Sequence, residues 1–195
     1  MATPKMTTKD GFEFQLGTNH LGHFLFTNLL LPALTEPKKP VRIINVASAA
    51  HMMGSVDFND LMREKTYSAW EAYGQSKLAN IMFTYELAKR LSYQPNVTVN
   101  CLHPGVVRTE LGRYMVKDSV FMPFAVALAS VFFKTPAQGA ETSIYLASSP
   151  EAQNVSSKYY TDCRPVSSSQ ASYDAGAAKK LFDVSAELTK ATWTP

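Results

Sequence analysis

The sequence predicts an α/β protein built as a doubly wound parallel sheet, with helices on both faces. Helical patterns of apolar residues alternate along the chain with short β-branched runs, and that alternation favours parallel strands joined by helices. The run at residues 41–48 shows too little polar alternation for a half-exposed strand, which is typical of a strand covered on both faces. Polar residues follow the strand-like runs, at the sheet edge where such folds bind ligands.

Composition narrows the class of protein. The chain has 195 residues, of which 46% are hydrophobic and 18% charged, and this balance predicts one globular domain over residues 1–195. The net charge of +3 is small and the basic residues are dispersed, so we expect no nucleic-acid partner. Cys101 and Cys163 form neither a disulfide framework nor a Cys/His cluster, so we expect a reducing compartment and no metal.

The first residues show no signal-peptide pattern, because residues 1–5 lead into a polar segment. The most apolar stretch, residues 120–133, is shorter than the roughly 20 residues that cross a bilayer as a helix. We therefore expect a cytoplasmic protein. The same stretch is compatible with peripheral membrane contact or with a cover over an apolar pocket.

The first predicted helix begins at Asp10, a good N-cap, and Glu13 three residues later completes a capping-box pattern. Its apolar residues recur with helical spacing as far as Pro32. A polar residue, Asn19, lies within this helix between two glycines, at a position that should be buried. Two interpretations are open at this point: an exposed or self-satisfied asparagine, and a functional side chain.

The strand predicted at residues 41–48 carries Ser48 at its carboxyl end. In open parallel sheets that end is where ligands bind, which makes Ser48 a candidate site residue. A loop of mixed character follows at residues 49–67. Its apolar residues Met52, Met53 and Phe58 are candidate substrate contacts, and anchors of an ordinary surface loop are the alternative.

Tyr73 and Lys77 are four residues apart on a helix predicted over residues 69–91. Four residues is about one turn, so the phenol and the ammonium emerge on one face of the helix. A nearby cation favours the phenolate over the phenol, whose free pKa is about 10. The helix also has two apolar faces, so it packs on its sheet and on something else, for which a partner subunit is one candidate.

The next strand is predicted at residues 97–102, followed by a Pro-Gly turn at the same edge of the sheet. Residues from about 110 to 134 are predicted to form an apolar lid of one or two short helices. A helix begins after Thr135, where Pro136 and Gln138 complete a helix-start pattern. A short strand at 158–161, a polar serine-rich connection at 167–172 and a closing amphipathic helix follow.

The four polar residues read together resemble the short-chain dehydrogenase/reductase family. Its catalytic tetrad is an asparagine, a serine at a strand end and Tyr-x-x-x-Lys on the next helix, which match Asn19, Ser48, Tyr73 and Lys77. Residues 104–109, Pro-Gly-Val-Val-Arg-Thr, are similar to the family's nicotinamide-side turn Pro-Gly-x-Val-x-Thr. Residues 18–24, 76–80 and 103–111 resemble the retinol-dehydrogenase-like branch, and the resemblance implies a Rossmann-like fold.

The resemblance implies an NAD(P)-dependent oxidoreductase that interconverts an alcohol and a carbonyl on an apolar, retinoid-like or other lipophilic substrate, with NADP ahead of NAD. Tyr73 would exchange the proton, and Lys77 would lower the pKa of that tyrosine and hold the nicotinamide ribose. Ser48 would bind the substrate oxygen, and Asn19 would hold a relay water. The residues lining the nicotinamide would be Pro104, Gly105, Val107 and Thr109. A homodimer through the helices of Asn19 and Tyr73 is compatible with the two apolar faces.

The sequence departs from the family at its beginning. No early strand followed by a glycine-rich phosphate-binding turn is present, so we expect the C-terminal part of the fold, N-terminally truncated, with three strands. The strand that ends at Ser48 would have a bare edge. Two functions remain open: an oxidoreductase of which this chain is a fragment, and a catalytically inactive interaction module.

Overall fold

The computed structural model describes residues 1–36, 39–107 and 133–193. The first helix, α1, combines an α-helical turn (Phe14–Leu16), a π-helical turn (Gly17–Leu21) and an α-helix (Gly22–Thr35). The other α-helices are α2 (Ala69–Arg90), α3 (Pro136–Ser148) and α4 (Ala175–Thr189). The strands are β1 (Val41–Val46), β2 (Val97–Leu102), β3 (Tyr159–Thr161) and β4 (Arg164–Val166). Short 3-10 helices lie at Ala49–Met53, Pro150–Ala152 and Gln170–Tyr173.

The strands form one mixed sheet in the order β1-β2-β3-β4. β1 and β2 pair in parallel from Val41 opposite Val97 to Val46 opposite Leu102, and β3 continues the parallel order. The predicted α/β class is therefore confirmed. β4, an antiparallel strand of three residues, is an addition to the three predicted strands. Among the described residues no strand pairs with the outer edge of β1, as the sequence led us to expect.

The start of α1 differs from its prediction. Glu13, and not Asp10, is the N-cap, because its carboxylate accepts hydrogen bonds from the amides of Gln15 (2.9 Å) and Leu16 (2.6 Å). The preceding residues form a turn around Gly11, whose φ is +85°. This backbone angle is not helical, so the helix cannot begin at Asp10. Burial raises the pKa of Glu13, while these two amide bonds and the positive charge of Arg63 oppose the rise.

The strand predicted through Ser48 ends two residues earlier, at Val46. Ser48 has extended backbone angles and caps the following 3-10 helix, since its hydroxyl accepts from the amide of Ala50 at 3.2 Å. Ala47 still donates to the carbonyl of Leu102 at 2.7 Å. The serine therefore remains anchored at the carboxyl edge of the sheet, but its side chain belongs to a turn.

The two apolar faces of α2 are both covered within the chain. Leu78 and Met82 pack in a cluster with Leu16 of α1 and Leu181 of α4. Phe83, Leu87 and Leu91 pack between strand residues Ile43, Val97 and Val99 and the helix residues Phe24 and Phe182. The second apolar face of α2 is therefore covered by α1 and α4 of the same chain. Contact with a second copy of the chain stays a prediction.

In the second half of the chain, the predicted start of α3 is observed, and the segment before α4 is more buried than its polar sequence suggests. Thr135 and Gln138 form the expected capping box at the start of α3. The connection expected to be polar and serine-rich buries Ser168, Ser169 and Ser172. The predicted lid at about 110–134 lies almost wholly outside the described residues. In the ranges that the structure describes, no helix has the length and apolar character to cross a membrane.

Candidate active site

Ser48 and Tyr73 face each other at the carboxyl edge of the sheet. Tyr73 lies in the first turns of α2 with only 4% of its surface exposed. The Ser48 side chain lies close enough to the phenol to lower the pKa of Tyr73, so the predicted pair is brought together. The indole of Trp70 packs edge-on against the Tyr73 ring, with 6.2 Å between ring centroids. The phenol is thus held between a hydroxyl group and an aromatic neighbour.

Lys77 lies one turn after Tyr73 and on the same side of α2. Its Nζ is 5.8 Å from the centroid of the Tyr73 ring and donates to the carbonyl of Val46 at 3.3 Å. Burial lowers the pKa of this amine to about 8. The predicted proximity of the phenol and the amine is therefore observed, and the amine is anchored to the last residue of β1.

The pKa of Tyr73 shifts in the direction opposite to the sequence prediction. The pKa of Tyr73 is raised, because burial outweighs the lowering by the Ser48 side chain. The predicted lowering of the tyrosine pKa by Lys77 is not seen. The amine lies 5.8 Å from the ring centroid and is itself desolvated, with a pKa of about 8. In this state of the protein the phenol is the stable form at neutral pH.

Asn19 lies in the π-helical turn of α1 and points at α2. Its Nδ2 donates to Ser76 Oγ at 3.0 Å, and the Ser76 hydroxyl donates to the Tyr73 carbonyl at 2.8 Å. The side chain is therefore neither free nor self-satisfied: it joins α1 to the tyrosine's helix. A π-turn widens the helix by one residue, and such turns occur often at functional sites. The predicted contact with a relay water stays a prediction.

Asn80 links Asn19 to Lys77, a role that the sequence reasoning missed. Its Nδ2 donates to the carbonyls of Asn19 (2.9 Å) and Val46 (3.2 Å), and the latter also accepts from Lys77. The Oδ1 of Asn80 faces Nδ1 of the buried His20 at 3.2 Å. The sequence did carry a signal for this role. Asn80 lies between two apolar stripes of its helix, and a polar side chain buried there needs hydrogen-bond partners.

The turn after β2 forms a second part of the site. Gly105 has a φ of +84°, which few residues other than glycine adopt, and its amide donates to His103 Nδ1 at 3.1 Å. Val107 forms a parallel bridge with Lys134 and packs against Gly139 of α3. Pro104, Gly105 and Val107 are thus collected beside the sheet's carboxyl edge. Thr109, the fourth predicted cofactor residue, lies outside the described part.

A glycine contact brings the Ser48 loop onto the tyrosine's helix. A Cβ on Gly54 would lie 2.4 Å from the carbonyl oxygen of Gly74, and one on Gly74 would lie 3.0 Å from that of Ala50. Real Cβ atoms do not approach a backbone as closely as the 2.4 Å at Gly54, and the 3.0 Å at Gly74 is tighter than most Cβ contacts. Glycine at both positions therefore lets the loop that begins at Ser48 rest directly on the residue that follows Tyr73.

The three apolar loop residues proposed as substrate contacts divide into two groups. Met52 and Met53 are exposed, at 64% and 62% of their surface, and they follow Ser48 closely. Phe58 packs instead against the core cluster of α1, α2 and α4, with the Lys180 amine 4.4 Å from its ring centroid. Phe58 therefore anchors the loop, whereas the two methionines are free to contact a ligand.

Comparisons with known proteins identify sequences and structures that resemble this chain. Residues 2–119 match the short chain dehydrogenase family. The chain is 50% identical over 182 residues to human (Homo sapiens) retinol dehydrogenase 14, covering 93% of this chain and 54% of the relative. It thus spans about half the length of the curated relative.

Solved structures show the same fold. An uncharacterized protein from Mycobacterium paratuberculosis matches all of this chain and 65% of its own length, with a TM-score of 0.76 and 34% identity. A 3-ketoacyl-(acyl-carrier-protein) reductase from Brucella melitensis, complexed with NADH, matches 74% of this chain and 53% of its own, with a TM-score of 0.54 and 24% identity.

The fold and site define an α/β protein whose polar groups converge at the carboxyl edge of a parallel sheet. The match over residues 2–119 covers more than half of the chain, and with it the chain belongs to the short chain dehydrogenase family. Its relatives include retinol dehydrogenases, so the expected retinol-dehydrogenase-like branch is confirmed.

Proposed function

We propose that this chain carries the proton-transfer site of an NAD(P)-dependent oxidoreductase that interconverts an alcohol and a carbonyl on a lipophilic substrate. The observation that carries the proposal is the convergence of two groups on Tyr73: the Ser48 side chain lies close enough to lower its pKa, and Lys77 Nζ lies 5.8 Å from its ring centroid. Tyr73, Ser48 and Lys77 are the proposed catalytic residues. Asn19 supports them through α2, as its contact with Ser76 indicates.

Tyr73 exchanges the proton in this mechanism. In carbonyl reduction its phenol donates a proton to the substrate oxygen, and in alcohol oxidation its phenolate accepts the hydroxyl proton. Because burial raises the pKa of Tyr73, the phenol is present at neutral pH without any cost of protonation. This protonation state suits the direction of carbonyl reduction.

Ser48 holds the substrate oxygen beside the phenol. Its hydroxyl already accepts from the amide of Ala50 at 3.2 Å, which leaves its own hydrogen to donate. A donor aimed at an oxygen on which negative charge grows stabilises the transition state more than the ground state. The fixed position of Ser48 as the cap of the 3-10 helix after β1 supplies that donor without reorganisation.

The described residues fit the nicotinamide end of a dinucleotide. Lys77 uses one of its donors on the Val46 carbonyl, so further donors are available for ribose hydroxyls. Gly105, with its φ of +84°, presents backbone without a side chain at the neighbouring strand end. When bound, the nicotinamide accepts or supplies the hydride. Pro104, Gly105, Val107 and Thr109 are the proposed lining, with NADP ahead of NAD.

The substrate class follows from the rim of the site and from the relatives. Met52 and Met53, in the 3-10 helix that follows Ser48, expose 64% and 62% of their surfaces, and Trp70, which packs on Tyr73, exposes 39%. Flexible thioethers and an indole favour an apolar ligand of irregular shape. The curated relative is called a retinol dehydrogenase, so a retinoid-like alcohol or aldehyde is the first substrate to test.

The test is turnover of a lipophilic aldehyde with NADPH or NADH, followed by nicotinamide absorbance, in the wild type and in Tyr73→Phe. We expect the variant to lose about 10³-fold in kcat, within the usual range for a general acid, while cofactor affinity measured by fluorescence changes little. Tyr145→Phe is the matched control, because the Tyr145 hydroxyl donates to Glu151 at 3.0 Å and has no bond to Ser48, Tyr73 or Lys77 among the described residues. Substantial turnover by Tyr73→Phe would refute the assigned role.

A second candidate function is assembly without catalysis. It is favoured by the outer edge of β1, which pairs with no described strand, and by Phe26 and Leu29 of α1, exposed at 62% and 70%. Unpaired strand edges and apolar patches invite association. A second copy of this chain, as in the predicted homodimer, would give a defined dimer in light scattering. Heterogeneous aggregate would count against this candidate.

A further inference from the structure

His51 is a buried residue that the proposed reaction does not use. It lies in the 3-10 helix that follows Ser48, and only 1% of its surface is exposed. Its Nδ1 lies 2.7 Å from the Ser48 carbonyl oxygen, and its Nε2 lies 3.0 Å from the backbone nitrogen of Ser169. The ring also packs edge-on against Tyr159 of β3, with 4.9 Å between centroids.

The two partners determine which ring nitrogen carries the proton. A carbonyl oxygen can only accept, so Nδ1 must be the donor to Ser48. A backbone N–H can only donate, so Nε2 must present its lone pair to Ser169. The imidazole is therefore neutral and protonated at Nδ1. Burial, which lowers the pKa of His51 despite its bond to the Ser48 carbonyl, agrees with the neutral form.

The imidazole joins two distant parts of the chain at the serine. The Ser48 carbonyl accepts from the His51 side chain and from the His51 amide, the latter at 3.1 Å. On the far side, Ser169 belongs to the buried segment before α4, in which Ser172 Oγ donates to the Ser169 carbonyl at 2.6 Å. The backbone of Ser48 is thus tied through His51 to Ser169, which lies 118 residues after the histidine.

We propose that His51 is a positioning residue for Ser48: by donating a hydrogen bond from Nδ1 to the serine's carbonyl, it aims the Ser48 hydroxyl at Tyr73. The inference rests on the proposed function for its catalytic consequence, and on the hydrogen-bond geometry for its structural one. His51 does not touch the reacting atoms. It acts through Ser48 alone.

Three variants separate the two nitrogens of the ring. The amide nitrogen of an asparagine can replace the Nδ1 donor, whereas the longer glutamine places its amide near Nε2 and can replace only the acceptor. We expect His51→Phe and His51→Gln to lower kcat about tenfold and to leave KM within about twofold, because a displaced donor weakens the transition state. His51→Asn should restore kcat to within about threefold of wild type. The reverse order of Asn and Gln would overturn the proposal.

The Ser48→Ala background tests whether the histidine acts through the serine. If it does, His51→Phe should lower kcat by less than about twofold once the hydroxyl is gone, because coupled residues are non-additive. An equal loss in both backgrounds would show an effect independent of Ser48 and would contradict the proposal. Tyr173→Phe is the control for loosening of the serine-rich segment, since its hydroxyl accepts from the Ser168 amide at 3.1 Å; it should leave kcat unchanged.

Two measurements need no turnover and keep the proposal separate from the proposed function. Nitrogen NMR of the imidazole should show the neutral form protonated at Nδ1 at pH 7, and a form protonated at Nε2 would overturn the inference. The Ala50 amide, which donates to Ser48 Oγ, should exchange its hydrogen about tenfold faster in His51→Phe and His51→Gln, but not in His51→Asn. If the chain shows no turnover with either nicotinamide, the proposed function fails, and these two signals decide the role of His51.

Discussion

Two regions of the site are held in place by different kinds of contact. The serine-tyrosine side, which comprises Ser48, the loop 49–54 and the first turns of α2, is fixed by buried backbone contacts. Gly54 lies directly on the backbone of Gly74, and His51 bonds to the Ser48 carbonyl and the Ser169 amide. The contact between Gly54 and Gly74 is between backbone atoms, which cannot move aside as the end of a long side chain can.

The turn side, residues 103–107, is held more loosely. Its internal bond runs from the Gly105 amide to His103 Nδ1, and Val106 exposes 63% of its surface. The neighbour that limits space at Gly105 is the Lys134 side chain, which is flexible and forms an ion pair with Asp162. The turn is therefore bordered by a flexible side chain at Gly105, whereas at its end Val107 packs directly on Gly139 of α3.

The difference follows the chemical task assigned to each region. Proton transfer needs donor and acceptor at hydrogen-bond distance, and an error of about 1 Å can cost on the order of 10²-fold in rate. A binding turn needs only a backbone that a ligand can approach. Substitutions on the serine-tyrosine side should accordingly change stability and rate together, whereas substitutions on the turn side should change affinity.

The largest effect on stability is expected from Gly54→Ala. The new Cβ would meet backbone atoms of Gly74 at 2.4 and 2.7 Å, so the loop or the helix must move, at a cost of about 3 kcal/mol in the free energy of unfolding. Denaturant titration measures that cost. The rate should also fall about 10²-fold, because Ser48 moves with the loop.

Gly22→Ala is the matched control for this change. A Cβ at Gly22 meets only the Gly17 carbonyl, at an ordinary 3.4 Å, so the variant should be unchanged or more stable by about 0.5–1 kcal/mol. Equal stability of Gly54→Ala and wild type would show that the glycine contact is not needed.

An effect of similar size, but present only in acid, is expected from protonation of His20, which contacts Asn80 of α2. Burial lowers the pKa of His20 to about 4, and its nitrogens face Asn80 Oδ1 and Ser185 Oγ. Between pH 6.5 and 4 the unfolded chain binds a proton there that the folded chain does not. The stability contribution is thus present above pH 6.5 and lost as pH falls, by roughly 3 kcal/mol at pH 4.

His20→Gln isolates this contribution from those of the other histidines. The variant should be less stable at pH 7, since it cannot satisfy both buried partners, but its free energy of unfolding should fall less between pH 7 and pH 4. Urea titrations at several pH values measure the difference. Parallel curves for the two proteins would contradict the assignment.

The smallest effect on stability is expected on the turn side, from Gly105→Ala. A φ of +84° is strained for alanine, at about 1–2 kcal/mol, and the close Lys134 atoms are the far end of a flexible side chain. We expect the affinity for NADPH to fall several-fold while kcat at saturation changes little. A loss of kcat with unchanged affinity would reverse the distinction between the two regions.

Much of the fold was predictable because its signals are local. The Thr135 capping box, the β2 run and the Tyr73–Lys77 spacing each depend on residues within one or two turns of one another. The boundaries at Asp10 and Ser48 were wrong for a related reason. Asp10 is a residue type that often caps a helix, but the turn at Gly11 delays the start of α1. Ser48 follows a β-branched run, but it caps the next 3-10 helix, so β1 ends before it.

The sequence by itself determined which chemical groups the site contains: a tyrosine and a lysine one turn apart, a serine after a strand and an asparagine on the preceding helix. Only the tertiary structure decided how these groups behave. It raised the pKa of Tyr73 through burial, and it recruited His51 and Asn80 through partners that are 118 and 61 residues away. Burial and long-range hydrogen bonds depend on packing between distant segments, which local spacing does not encode.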